Sequence, residues 1–482
     1  MKQPNVKLRR VLGFWPTYGA AVGLVVSGTA MVSVGNVAGL SGKAAFITGL
    51  IGLIPMVAAA FAFGELTAML PGGGMISDYT MPALGRFWSI FAILSGYIVL
   101  ISADGGTQQV IGGLSVESLI GIPQPVVSGL LLLLVAAVNL RGVKFYGQTE
   151  AFLTIGMMLT FLLVGFLGVF GVGESLGVAT RIDTNTPVIP KDLAPVFTSV
   201  GIAIWWFIGF EFACPMAEEN KKPYKYIPYA LILGLISIYV MDVIYIAAAV
   251  SYTPKEILLN SSIPHVEAAR YMLGDFGYLT VTLLTVVAAF TTANAQMAAL
   301  PRMLYGMARE NLVPKFFANI HPKYRTPWNG IFFTTIVMAG TIVYVSIEGA
   351  DINTILTLVL TACICWMVSY AIAMIDVLVL RKKYPHFPRL WKAPYAKVTM
   401  ILGLAGVLYS IWTIHYVLLP AASFMLLIAI YTYWWLKRKN LPLFEPTPLE
   451  DMATDIMNRT EALPEWDDAV RDWLRSREVK AK

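Results

Sequence analysis

The chain has 482 residues, 57% of them hydrophobic and only 13% charged, with a mean hydropathy of +0.68. A soluble domain carries roughly 25% charged residues, so a water-soluble chain of this length would expose too much apolar surface to stay dispersed. The formal net charge of +6 names no partner until the basic residues are placed along the chain.

A helix needs about 20 apolar residues to cross the hydrocarbon. Twelve such runs follow one another, near 11–36, 44–69, 86–113, 123–141, 149–172, 194–217, 228–251, 276–307, 327–347, 352–380, 398–418 and 420–437. Backbone groups left unpaired in lipid are costly, so the runs are expected to be helices. They are continuously apolar, which excludes the alternation of a β-barrel. The sequence predicts an all-α integral membrane protein with twelve transmembrane helices. A short N-terminal segment (1–10) precedes spans 1 to 5 (11–172), spans 6 to 10 (194–380), spans 11 and 12 (398–437) and a tail (438–482).

In chain order, span 1 carries Val26-Ser27-Gly28-Thr29, preceded by Gly19 and Gly23. Span 2 holds Glu65 near its end and span 10 holds Asp376 near its own, positions that read as anchoring at the membrane interface. Span 3 holds Asp104 near or just beyond the midplane, in Asp104-Gly105-Gly106, and span 5 has no lysine. Span 6 contains Trp205-Trp206-Phe207-Ile208-Gly209-Phe210-Glu211, followed by Pro215. Asp242 lies midway along span 7, and span 8 carries Thr291, Thr292, Asn294 and Gln296. The tail from about Asn440 is rich in charge and proline, with an amphipathic stretch around Trp466–Trp473; it reads as a cytoplasmic or surface-lying segment.

Cys214, Cys363 and Cys365 lie in apolar runs without CxxC spacing. On a helix, positions 363 and 365 point about 200° apart, so all three read as buried small hydrophobes. His265, His321, His386 and His415 have no ligand spacing, and neither a metal nor a cofactor is expected. The first apolar run is too long for a removable signal peptide and lacks a small-residue cleavage site.

Lysine and arginine set the orientation. With the N-terminus in the cytoplasm, the inside segments hold 21 of the 35 basic residues and the outside loops hold 5, the other 9 lying from Lys437 onward. The inside set begins with Lys2, Lys7, Arg9 and Arg10 and includes Arg86, Arg141 and Lys144. One miscounted span would scramble this alternation downstream, so the basic balance is topology and no nucleic acid is invoked. A plasma-membrane protein with both termini cytoplasmic is expected.

Spans 1 and 6 are both interrupted by glycine, lie five spans apart and start on opposite sides. That pairing points to a five-plus-five inverted repeat with broken helices 1 and 6, whose bare peptide groups would meet a solute near the midplane. The alternative for either helix alone is that its small residues serve packing.

Several stretches resemble the amino acid–polyamine–organocation superfamily of permeases. Glu65-Leu66 leading to Pro71-Gly72-Gly73-Gly74, Tyr79, Leu84-Gly85-Arg86-Phe87-Trp88 and Gly96 is similar to its helix 2–3 signature. Gly209-Phe210-Glu211 with Ala217-Glu218-Glu219, Pro223 and Ile227-Pro228 resembles its helix 6–7 signature. Arg302-Met303-Leu304-Tyr305, Met307-Ala308-Arg309, Leu312-Val313-Pro314 and Pro327 resemble its helix 8–9 loop. The likeness runs from about residue 10 to 435 and implies the inverted-repeat fold of the bacterial leucine transporter, alternating access, and amino acids or amines as substrate. It also puts Ser27-Gly28-Thr29 where helix 1 amides receive a substrate carboxylate. The superfamily usually has glycine where this chain has Val26, which stiffens the turn and puts carboxylate capture in doubt. Trp205 and Glu211 fall at positions similar to the gating aromatic and proton-linked acid of bacterial arginine–agmatine exchangers.

The break in span 1 offers positive dipole ends to an anion, and that in span 6 offers carbonyls to an ammonium. The candidate substrate-binding residues are therefore Val26, Ser27, Gly28, Thr29, Asp104, Trp205, Phe207, Ile208 and Gly209. Trp205 and Phe207 could close over a cation through their ring faces; otherwise they are packing aromatics, as Trp206 is expected to be. An acid inside a span needs a role: Asp104 pairs with a cationic group of the substrate, or else caps a local helix break at its two glycines. Glu211 either gains and loses a proton as the site alternates or is a static acceptor tying the span 6 break to its neighbours. Thr291 and Thr292 could supply oxygens to a sodium site, or bond back to their own helix. The coupling ion is thus H+ or Na+, with proton-coupled transport or exchange preferred and a sodium symporter or a transporter-like sensor as alternatives. A channel would need rings of carbonyls or charges around a continuous pore. HExxH, GxSxG and Walker motifs of enzymes are missing.

Overall fold

The computed structural model describes residues 9–141, 146–182 and 187–481, with the side chains of 146–150 and 478–481 excepted. Lys2, Lys7, Lys144 and Lys482 of the topology count lie outside the described residues. Unpaired amides find no water in hydrocarbon, and the apolar runs answer by closing their hydrogen bonds within helices. The first half comprises α1 (Phe14–Gly23), α2 (Gly28–Ser41), α3 (Ala45–Met69), α4 (Ile76–Leu84), α5 (Arg86–Ile93), α6 (Val99–Ile120), α7 (Gln124–Arg141) and α8 (Tyr146–Val169). A π-helical turn, Leu94–Ile98, joins α5 to α6 within one span. After α9 (Val172–Ser175), the second half has α10 (Ala194–Thr198), α11 (Val200–Ala203), two 3-10 stretches (Ile204–Phe207 and Phe210–Glu218) and α12 (Pro223–Tyr252). It continues with α13 (Lys255–Asn260), α14 (Pro264–Arg309), α15 (Trp328–Glu348) and α16 (Ile352–Lys383). Then come α17 (Ala396–Thr413), α18 (Leu418–Arg438), α19 (Leu449–Arg459) and α20 (Pro464–Ala481).

Among the described residues, 11 helical stretches are long and apolar enough to cross a membrane. The first of them, Gly28–Met69, joins the second part of the expected span 1 to the whole of span 2. The ten-residue α1 is too short to count by itself. α14 begins before the run expected at 276, because a short helix from Pro264 joins it across a kink at Leu273 and Gly274. The most extensive helix packing joins α6 to α14 and α3 to α12. In the span numbering these are 3 with 8 and 2 with 7, each pair five spans apart.

Two acids read as interface anchors are instead buried. Both oxygens of Glu65 meet Arg381, at 2.8 and 2.6 Å, and Arg389 stands 3.2 Å from one of them. The Ala393 amide also donates to Glu65 at 2.8 Å. Asp376 is fully buried and accepts from the Thr80 hydroxyl at 2.6 Å. The cause is the chain between α16 and α17, together with α4: both fold back over the helix ends and remove them from solvent. Glu65 has both oxygens paired with cationic or amide donors, whereas the second oxygen of Asp376 is buried without a partner.

The tail does the same on a larger scale. Trp466 and Val470 of α20 are buried, and the Trp466 indole donates to the Met69 carbonyl at 3.0 Å. Trp473 sets its ring edge-on to Phe387, 4.8 Å between centroids. Arg459 pairs with Asp78 at 2.8 Å and with Glu218 at 3.5 Å. Arg10 donates to the carbonyls of Ala217, Asn220 and Glu461 at 2.8, 3.0 and 3.0 Å. Burial pushes the Asp78 carboxyl above its ordinary range, and the Arg459 guanidinium draws it part of the way back. The amphipathic face around Trp466–Trp473 is thus spent on the protein itself.

Candidate functional site

The helix of span 1 stops at Gly23. Val25 and Val26 both turn back to the Val22 carbonyl, at 3.1 and 3.0 Å, and Ser27 is fully extended. An extended residue with a short hydroxyl is what a helix start needs: Ser27 Oγ accepts the Ala30 amide at 3.2 Å, and α2 begins. In span 6 the helix tightens to 3-10 geometry through Trp205 and Trp206, extends at Ile208 (φ −65°, ψ 131°) and turns at Gly209 with φ +106°. A Cβ at Gly209 would be left-handed and would lie 2.8 Å from Leu24 Cδ2. Glycine is required there on both counts. Leu24 belongs to the span 1 interruption, so the two interruptions touch.

Next to them, Thr29 gathers three helices. Its hydroxyl accepts from Gln108 Nε2 at 2.6 Å and from the Trp205 indole at 3.0 Å, and donates to Asp104 Oδ1 at 3.3 Å. That fills the capacity of a hydroxyl. Asp104 is 5% exposed. Besides Thr29 it accepts from Gln108 Nε2, at 3.3 and 3.4 Å, and from Gln296 Nε2 at 2.8 Å. All three partners are neutral. α6 runs unbroken through Asp104-Gly105-Gly106, so the capping alternative fails. Gly105 instead makes room for Met338 and Gln296, since a Cβ there would stand 2.2 Å from Met338 Cε and 2.4 Å from Gln296 Oε1. That oxygen is buried without a hydrogen-bond partner.

The second carboxylate has other company. Glu211 is fully buried; Oε1 accepts the Trp366 indole at 2.6 Å and Oε2 accepts the Tyr370 hydroxyl at 2.5 Å. The same Tyr370 oxygen accepts the Gly209 amide at 3.1 Å, one of the groups freed by the interruption. Trp205 stands edge-on to Trp366, 6.0 Å between centroids. One aromatic chain therefore runs from the Asp104 cluster to Glu211.

Ser27, Gly28, Thr29, Asp104 and Trp205 come together, with Glu211 one aromatic ring away. Ile208 and Gly209 form the turn of the second interruption, while Val26 and Phe207 are buried in the packing around it. Phe207 leans on Trp206 at 6.2 Å. Thr291 bonds back to the Val287 carbonyl at 3.0 Å, and the Thr292 hydroxyl is buried without a partner. Asn294 turns to α7, accepting from Asn139 at 2.7 Å. Sequence reasoning missed Gln108, Trp366 and Tyr370. Gln108 lies one helical turn after Asp104, and Trp366 and Tyr370 are themselves one turn apart, a spacing that places both on one face.

The family model described as amino acid permease matches residues 12–436. A methylthioribose transporter of Bacillus subtilis (strain 168) is 24% identical over 459 residues, covering 90% of this chain and 94% of its own length. The branched-chain amino acid permease of the same organism is 24% identical over 471 residues, covering 90% and 95%. Its serine/threonine exchanger is 22% identical over 410 residues, covering 83% and 90%. Among solved structures, a mutant of the Eremococcus coleocola manganese transporter superposes with a TM-score of 0.60 at 12% identity, covering 89% of this chain and 98% of that one. A likeness at that identity speaks for the fold alone.

Proposed function

The chain belongs to the amino acid permease family, multi-pass membrane transporters and not enzymes, and we propose that it moves amino acids or related organic amines across the plasma membrane by alternating access. The observation that carries the amine part is Asp104: a buried carboxylate beside the interrupted span 1, held by neutral donors only. A carboxylate in such surroundings seeks a cation, and a substrate ammonium supplies one. Trp205 is the gate. Its indole reaches Thr29, and swinging away would uncover both Thr29 and Asp104.

Coupling runs through Glu211, by proton-coupled transport or exchange. The ionised carboxylate accepts from Trp366 and Tyr370, and Tyr370 in turn holds the Gly209 amide. A proton on Glu211 would compete with one of those donors, so its arrival would loosen the tie on the span 6 turn. The static-acceptor role and the proton role are then one device. Sodium coupling is the second reading: Thr291 donates its proton to its own helix but keeps its lone pairs, and the Thr292 hydroxyl is buried without a partner. The lysine and arginine asymmetry supports cytoplasmic termini.

Reconstituted in liposomes, the protein should show saturable, counter-solute-stimulated flux that rises with an imposed proton gradient and ignores replacement of sodium by choline. Glu211→Gln should retain exchange but lose the pH response. Flux that never saturates would make it a channel, and an undiminished pH response in the variant would remove Glu211 from coupling.

A further inference from the structure

Of the Ser27-Gly28-Thr29 amides that the resemblance assigns to a substrate carboxylate, two are already engaged, Ser27 N–H by the Val25 carbonyl at 2.8 Å and Thr29 N–H by a side chain. Thr29 N–H is taken by Gln108 Oε1 at 3.2 Å and Ala30 N–H by Ser27 Oγ at 3.2 Å. Gln108 is fully buried and fully used. Its carbonyl faces the helix start, where anions are favoured. Its amide group reaches both the Thr29 hydroxyl at 2.6 Å and Asp104 at 3.3 Å. A side-chain carbonyl thus stands where an amino acid's carboxylate would go, and a carboxylate of the protein stands just behind it.

We propose that Gln108 is a specificity-determining residue: it fills the carboxylate position, so that the site admits organic amines and rejects their parent α-amino acids. The inference rests on the reading of Asp104 as the ammonium acceptor and sharpens it to a substrate class. Two penalties act on an amino acid. Its carboxylate must evict Gln108 from the Thr29 amide, leaving a buried carbonyl unpaired. It must also sit beside Asp104, and like charges held close in a poorly hydrated site repel strongly. An amine meets neither. Its ammonium has three donors, and the acceptors within reach include the Asp104 oxygens and the buried, unpartnered Gln296 Oε1.

The test is binding to the purified full-length protein, by thermal shift and calorimetry, with matched probes: putrescine against ornithine, cadaverine against lysine, agmatine against arginine. Lysine methyl ester serves as a probe of the same bulk as lysine without the negative charge. At least one amine should bind tenfold or more tightly than its parent amino acid, and the ester should follow the amine. In Gln108→Ala the gap should shrink to about threefold or less, because the Thr29 amide is released to a carboxylate. The wild-type comparison stands even if that variant fails to fold. An amino acid that binds as tightly as its amine overturns the role of Gln108 while leaving the transporter reading intact. Failure of every amine and amino acid to bind or to drive counterflow defeats that broader reading, and this inference with it.

Discussion

Two buried carboxylates sit on either side of Trp205, and their neighbours differ in kind. Asp104 is met by side-chain amides and a hydroxyl, several of them at 3.3–3.4 Å, with an unused acceptor beside it. Glu211 is met by two aromatic donors at 2.5–2.6 Å, both on one face of α16. Tyr370 also takes the Gly209 amide, so Glu211 is tied through it to the span 6 turn. Asp104 has one short bond, from Gln296 Nε2 at 2.8 Å, and longer contacts to Thr29 and Gln108 that a better partner can replace. On the reading proposed above, two acids at similar burial differ in the groups that meet them, amides and a hydroxyl for the one and aromatic donors for the other.

Asp104→Asn attacks the recognition side and should have the largest effect. Removing the charge that pairs with a buried cation costs about 3–5 kcal/mol, so uptake of a cationic amine should fall at least about a hundredfold while the melting temperature stays near that of wild type. Unchanged uptake would erase the distinction. On the framework side, Tyr370→Phe keeps the ring and deletes the bond to Glu211 and the one from Gly209. It should lower stability by about 1.5–3 kcal/mol, visible in thermal unfolding; a melting temperature equal to wild type would mean that Glu211 is not held. Smallest is Trp205→Phe, which retains an aromatic lid and loses only the indole bond to Thr29. With about 1 kcal/mol at stake, the transport KM should shift a few fold with kcat nearly constant, and a collapse of kcat would make Trp205 more than a lid.

The helical fold was legible because a bilayer leaves so few choices: continuous apolar runs give helices. The interruptions were legible from Gly28 and Gly209 for the same reason, since exposed peptide groups at that depth are rare. Legibility stopped where contacts come from distant segments. Glu65 and Asp376 read as anchors because hydropathy measures depth along one helix and cannot see a connecting segment folding back over it. Gln108, Trp366 and Tyr370 carry ordinary residue types, and only their one-turn spacings hinted that they share a face with something polar. Asp104 lies on an unbroken helix: its two glycines do not end α6 but let neighbours approach, Met338 and Gln296 at Gly105, Met338 and Thr341 at Gly106.

Arg459 touches Asp78, in the segment linking spans 2 and 3, and Glu218, at the end of span 6. In an alternating-access cycle that moved span 6 against that linking segment, this single guanidinium would be pulled from both sides. Removing the tail would then shift the balance between conformations, and the apparent affinity for the solute would follow the change in population.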